Sequence, residues 1–170
     1  MHLEKLISFA EAMKERGGNR LARDLTPNLL SCSYEIISDG TKRVDNPVNH
    51  QLVRLTVCSL PSKERPLVII DPRAGRRSGI SCVMDISQAS VALGQGYDVY
   101  YVVFNPEPEE KQTIPDVLSL IGDFIEEVGA LRPSPEGPLV VGNCAAGWAV
   151  FLAGLLKPEL KFTCIPVGSP

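Results

Sequence analysis

The stretch VVGNCAAGWAVFLAGLL, residues 140–156, decides the fold. An apolar run reaches a glycine, turns through Asn143 and Cys144, and leaves at once as a second apolar run of small residues. A buried core requires no such turn. A strand-to-helix corner does, because its central residue is held in a strained conformation with the side chain pushed outward, and its neighbours have to be small. Gly142, Asn143 and Gly147 form the turn, and Ala145 and Ala146 leave room around Cys144. The helix N-terminus behind the cysteine favours an anion and the reactive thiolate, and its N–H groups face a developing oxyanion. Cys144 is therefore the candidate nucleophile.

Other readings of the same residues are weaker. Gly142 and Gly147 have the glycine spacing of a phosphate loop, G-x-x-x-x-G-K-[ST], but Trp148 and Ala149 occupy the Lys and Ser/Thr positions. Pro138 to Leu156 carries no charge and approaches the length that spans a bilayer, yet Pro138, Gly142, Asn143, Gly147 and Gly154 divide it into strand, turn and helix. No membrane span is expected. A small buried cysteine remains the bland alternative, since free Cys is among the most buried residue types.

Outward from the elbow, strands and helices alternate. PLVIID (66–71) and YDVYYVVF (97–104) read as buried strands, and LVVGN (139–143) and FTCIPVG (162–168) as strands. Between them lie a helix around Ile86 to Leu93 closed by Gly94 and Gly96, an amphipathic helix from Ile114 to about Leu131, and a helix from Ala145 to Leu156. This βαβαβαβ order predicts an α/β fold, a mostly parallel sheet with helices on both faces. SYEIISDG (33–40) and HQLVRLTVCSL (50–60) read as two leading strands, preceded by a helix marked by Leu3, Leu6, Ile7, Ala10 and Met13. The chain divides into a leading segment, 1–60, and a core, 61–170.

Composition narrows the function. At 170 residues, 44% hydrophobic and net charge −3, the chain suits one domain and offers no basic run for a nucleic-acid backbone. The five cysteines, Cys32, Cys58, Cys82, Cys144 and Cys164, form no C-x-x-C pair, and with only His2 and His50 they give no metal-ligand spacing. An odd, dispersed set reads as reduced and cytoplasmic, and the charged N-terminus lacks the apolar run of a secretory signal. Both histidines read as surface residues.

GNCAAGW (142–148) resembles the lipase-like box, G-x-C-x-G-G, of the poly(3-hydroxyalkanoate) synthases, which are α/β-hydrolase-fold acyltransferases with a cysteine nucleophile. The resemblance continues through PLVIIDPRAG (66–75) and ASVALGQGYDVYYVVFNPEP (89–108), and is closest to a synthase-like branch of α/β hydrolases. It covers about residues 66–170. Two positions depart: Ala146 replaces the first glycine of the box, and Ala145 stands where a larger polar residue is expected.

The resemblance implies that Cys144 takes an acyl group from a thioester or ester, with no cofactor, while the N–H groups of Ala145 and of Arg73 or Ala74 hold the oxyanion. It also implies a later Asp and His, and no Asp or His follows Cys144. The expectation is accordingly the N-terminal part of a catalytic domain, ending after the strand that follows the nucleophile helix, with an unpaired edge that invites self-association. Arg73, Arg76 and Arg77 would attract the phosphates of a coenzyme A substrate or simply solvate their loop. The rival expectation is a non-catalytic binding or scaffold protein that keeps the hydrolase core without a triad.

Overall fold

The computed structural model describes residues 32–56, 61–72, 80–81, 86–105 and 107–169. The helix expected near the N-terminus, Cys58, Cys82 and the arginine-bearing loop 73–79 lie outside these residues. Six strands form one sheet: β1 (Tyr34–Asp39), β2 (His50–Leu55), β3 (Leu67–Ile70), β4 (Val99–Phe104), β5 (Leu139–Asn143) and β6 (Thr163–Val167). Their spatial order is β1-β2-β4-β3-β5-β6. The two leading strands are antiparallel, β2 pairing with β4, and β4, β3, β5 and β6 run parallel.

Helices α1 (Gln88–Gly94), α2 (Ile114–Leu131) and α3 (Ala145–Leu156) make the crossovers. Parallel strands need such connections, and their usual right-handedness distributes the helices over the sheet. Ala89, Ala92 and Leu93 of α1 pack with Val53, Ile69, Val99, Tyr101 and Val141 on one face. On the other, Val117, Ile121, Phe124 and Val128 of α2 and Ala146, Ala149, Val150 and Ala153 of α3 pack with Val68, Ile70, Val102 and Val140. The central strand β3 is buried along its whole length, which explains why it reads as an unbroken apolar run.

Local chemistry sets the helix ends. Ser87 and Ser90 form a reciprocal capping box at α1, and Thr113 and Asp116 form another at α2, each satisfying N–H groups that the first turn leaves unpaired. Gly96, at φ 83°, ends α1 in the left-handed region, where a side chain would be strained. Lys157, just past α3, donates to Asp123 at 2.6 Å and Glu126 at 2.9 Å and ties that end of α3 to α2. Among the described residues no helix is long and apolar enough to cross a membrane.

At the opposite end of the sheet from the elbow, Asp98 precedes β4 and is 2% exposed. Arg54 Nε donates to its Oδ1 at 2.8 Å and Nη2 to its Oδ2 at 3.2 Å, while Arg132 Nη1 lies 3.3 Å from Oδ2. This carboxylate joins β2, β4 and the end of α2, and it is what raises the Arg54 guanidinium above its ordinary pKa. Removing it leaves two arginines facing a buried position. Asp98→Ala is expected to lower stability by about 2 kcal/mol, less than the ~3–5 kcal/mol of a fully buried pair because both arginines keep access to water. A shift of the urea midpoint at unchanged slope is the measurement that checks it.

Candidate nucleophile elbow

β5 delivers the chain to Cys144 and α3 carries it away. Cys144 has φ 50° and ψ −123°, a backbone conformation that a side-chain-bearing residue adopts only at a cost of order 1–3 kcal/mol. Its side chain is exposed, whereas Gly142 and Asn143 before it and Ala146 and Gly147 after it are buried.

Three sets of contacts over-determine this turn. The Cys144 N–H donates to the Val167 carbonyl of β6 at 2.9 Å, and the Gly147 N–H donates to the Cys144 carbonyl at 3.0 Å. Ser169 Oγ, after β6, donates to the same Cys144 carbonyl at 2.9 Å. Asn143 Nδ2 donates to Gln88 Oε1 at 2.8 Å, fixing the elbow to the first residue of α1.

The glycines permit the geometry. A Cβ on Gly142 would stand 2.7 Å from Gly147 Cα and 2.8 Å from the Ala146 carbonyl oxygen, and one on Gly147 would collide with Ser169. Strand and helix touch backbone to backbone. The first N–H groups of α3 have no intrahelical acceptor, and among the described residues no hydrogen bond takes those of Ala145 and Ala146. They are donors available beside the cysteine.

A cavity of about 120 Å³ adjoins the elbow. Ala145, Ala146, Trp148 and Ala149 of α3 form one wall, Ile114, Val117, Leu118 and Ile121 of α2 another, and His50, Ile70 and Asp71 at the sheet end the third. Asp71 is buried at the end of β3, where its Oδ2 accepts from the Tyr101 hydroxyl at 2.9 Å.

His50 corrects the sequence reading. Rather than a surface residue it is 2% exposed, because it opens β2 between two strands and its ring packs on Phe104 with centroids 5.8 Å apart. Registers put it level with Cys144, with β4 and β3 between β2 and β5. Three strand spacings of about 4.8 Å put the two backbones roughly 14 Å apart, while His50 and the first turn of α3 line the same cavity. Arg73 and Ala74, the other oxyanion donors expected, lie outside the described residues, as do Arg76, Arg77 and His2.

Two contributors had no sequence signal. Ser169 lies far along the chain from the elbow it clamps, and the α2 residues of the cavity wall read only as the buried side of an amphipathic helix. Asn143 reads from the sequence as part of the turn, but its partner Gln88 follows only from the fold.

A mostly parallel sheet with antiparallel leading strands, helices on both faces and a strained residue between the fifth strand and its helix defines an α/β-hydrolase fold. Within that class, the chain belongs to the family described as "Protein of unknown function (DUF3141)", whose model matches residues 2–170. It is 37% identical over 173 residues to the "Uncharacterized protein in ackA 5'region" of Rhizobium meliloti, an alignment covering 98% of this chain and 24% of that protein. The chain thus spans about a quarter of that relative's length. Similar solved structures include an arylesterase (TM-score 0.48, 14% identity, 89% of this chain and 50% of that one). The enterobactin esterase FES from Shigella flexneri gives 0.47 at 18% identity, covering 84% and 38%. Esterase LipW from Mycobacterium marinum gives 0.44 at 16%, covering 96% and 51%.

Two substitutions test the elbow. Gly142→Ala must push β5 and α3 apart and is expected to cost about 2 kcal/mol or more, read from chemical denaturation. At Cys144 the usual order of alanine over glycine should invert. Cys144→Gly is expected to be about 1 kcal/mol more stable than Cys144→Ala, because glycine alone adopts φ 50° without strain, whereas at an ordinary exposed position it would be the less stable.

Proposed function

We propose that this protein is an α/β-hydrolase-fold acyltransferase or hydrolase with Cys144 as nucleophile, acting on an acyl thioester or ester in the manner of the poly(3-hydroxyalkanoate) synthases. The observation that carries the reading is the backbone of Cys144, φ 50° and ψ −123°, which presents an exposed thiol at the start of a helix. Strain of this kind persists only where the surroundings enforce it, and here backbone contacts, Ser169 and Asn143 all do.

The thiolate sulfur attacks the acyl carbonyl carbon. The new S–C bond forms, the carbonyl π electrons move to oxygen, and the Ala145 N–H donates to that oxyanion, with Arg73 or Ala74 as the proposed second donor. Collapse breaks the bond to the leaving thiolate or alkoxide, which takes a proton from water, and the acyl group stays on Cys144. Transfer to an acceptor then needs a base that deprotonates that acceptor. No Asp or His follows Cys144 in these 170 residues, and His50 sits three strands away. Acylation is therefore expected to outrun deacylation.

With p-nitrophenyl butyrate, the 170-residue chain should release close to one equivalent of nitrophenolate in a burst and then stall. Peptide mass mapping should place the acyl group on Cys144. Brief iodoacetamide treatment of the native protein should likewise alkylate Cys144 ahead of Cys32 and Cys164. Of those two, both half-buried, Cys164 has its thiol pushed up in pKa by burial and is the less reactive for it. A burst that survives Cys144→Ala, or preferential alkylation of Cys32, rejects the assignment.

A further inference from the structure

Both backbone groups of Cys144 are held by one short segment at the end of β6. The Val167 carbonyl accepts from the Cys144 N–H at 2.9 Å. Two residues on, Ser169 Oγ donates to the Cys144 carbonyl at 2.9 Å, with the Gly142 carbonyl a longer alternative at 3.4 Å. Gly168 between them, at φ 57°, takes the left-handed turn that a side chain would strain. Ser169 then lies directly on Gly147, where a Cβ built on the glycine would stand 2.6 Å from the Ser169 Cβ.

The carbonyl that Ser169 reaches shares a planar peptide unit with the Ala145 N–H, and in a trans unit the two point in opposite directions. The oxygen accepts from the Gly147 N–H at 3.0 Å and from Ser169, so both of its lone pairs are used and the plane is fixed from two sides. Hydrogen bonds in series also polarise one another. A donor on the carbonyl draws density from the amide nitrogen and makes its N–H the stronger donor.

Resting on Cys144 as nucleophile and the Ala145 N–H as its oxyanion donor, we propose that Ser169 is a positioning residue for acyl transfer, which orients and strengthens that donor through the 144–145 peptide without touching the substrate. As the Cys144 sulfur bonds to the acyl carbon, the carbonyl π pair moves onto oxygen. The demand on the Ala145 N–H rises with that charge, so the relay from the Ser169 hydroxyl through the Cys144 carbonyl acts more strongly in the transition state than in the ground state. Losing a whole oxyanion donor costs on the order of 100- to 1,000-fold in rate, so a donor weakened by about 10–30% loses about two- to eightfold. Alkylation by iodoacetamide is different. It is a displacement at saturated carbon that develops no carbonyl oxyanion and reads only the thiolate and its access.

The 170-residue chain and Ser169→Ala are therefore compared in two reactions of one thiol: the p-nitrophenyl butyrate burst, and iodoacetamide alkylation of Cys144 followed by peptide mapping. Alanine keeps the Cβ that rests on Gly147 and removes the hydroxyl alone. The burst rate constant should fall about two- to eightfold while alkylation of Cys144 is unchanged. Ser169→Gly, which also lacks the hydroxyl, is read in the same way if the alanine variant does not fold. Equal burst rates overturn the proposal. So does a parallel fall in burst and alkylation, which marks a clamp that merely holds the elbow in shape. The Ala145 amide gives a readout without chemistry: in proton–nitrogen correlation spectra its nitrogen resonance should move upfield in Ser169→Ala, and an unmoved resonance overturns the relay. The nucleophile stands or falls separately. If the ester leaves no acyl group on Cys144 of the unmodified chain, that reading is rejected, and the Ala145 resonance alone then decides whether Ser169 polarises the 144–145 peptide.

Discussion

The contact on which the rest of the structure depends is between two pieces of backbone, Gly142 in β5 and Gly147 in α3. Any Cβ at residue 142 would fall 2.7–2.8 Å from atoms of the helix, closer than carbon atoms pack. That approach leaves the chain one short path from strand to helix, and Cys144 must turn through it at φ 50°. The cost of that conformation, of order 1–3 kcal/mol, is offset by interactions that would be lost if it relaxed: the Cys144 N–H to Val167, its carbonyl to Gly147 and Ser169, and Asn143 to Gln88. The partners come from α1, from α3 and from β6 with the residues just after it. The turn is held by the assembled sheet as well as by its own glycines, which is why a change in β6 or α1 would be felt at the thiol.

What could be read from the sequence follows from the same distinction between local and assembled structure. The bounds of α2 and α3, Ile114–Leu131 and Ala145–Leu156, match the expected ones because caps, periodicity and glycines act within a few residues. The parallel core was legible from the alternation of apolar runs and helices. The elbow was legible because close approach demands glycine, and glycine at both 142 and 147 is visible as sequence. His50 was not legible. A histidine beginning an alternating strand reads as exposed, and only the placement of β2 between β1 and β4, with Phe104 under its ring, buries it. Nor was the cavity, whose three walls come from segments far apart in the chain and meet only once the helices have docked.

Helix α3 shows how one constraint propagates. An amphipathic helix normally turns its large apolar residues toward the core. Here the inward residues are Ala146, Gly147, Ala149, Val150 and Ala153, while Trp148, Phe151, Leu152, Leu155 and Leu156 are partly or largely exposed. The helix is apolar all round, so periodicity marks no core face, and bulk does instead. Gly142 and Gly147 draw the N-terminal turn of α3 against β5, and at that separation a side chain at residue 147 would overlap its neighbours, where overpacking costs ~1–3 kcal/mol. A glycine is therefore required at that contact. Helix α2 is docked on the same face by its own larger residues and by Lys157 bridging to Asp123 and Glu126. Between a helix held close by glycines and a helix held off by Val117, Leu118 and Ile121, the alanines at 146 and 149 leave a gap that neither helix fills. The strained cysteine and the cavity beside it thus meet at one place: the contact that bends the backbone at residue 144 also fixes the first turn of α3, whose alanines leave the space open.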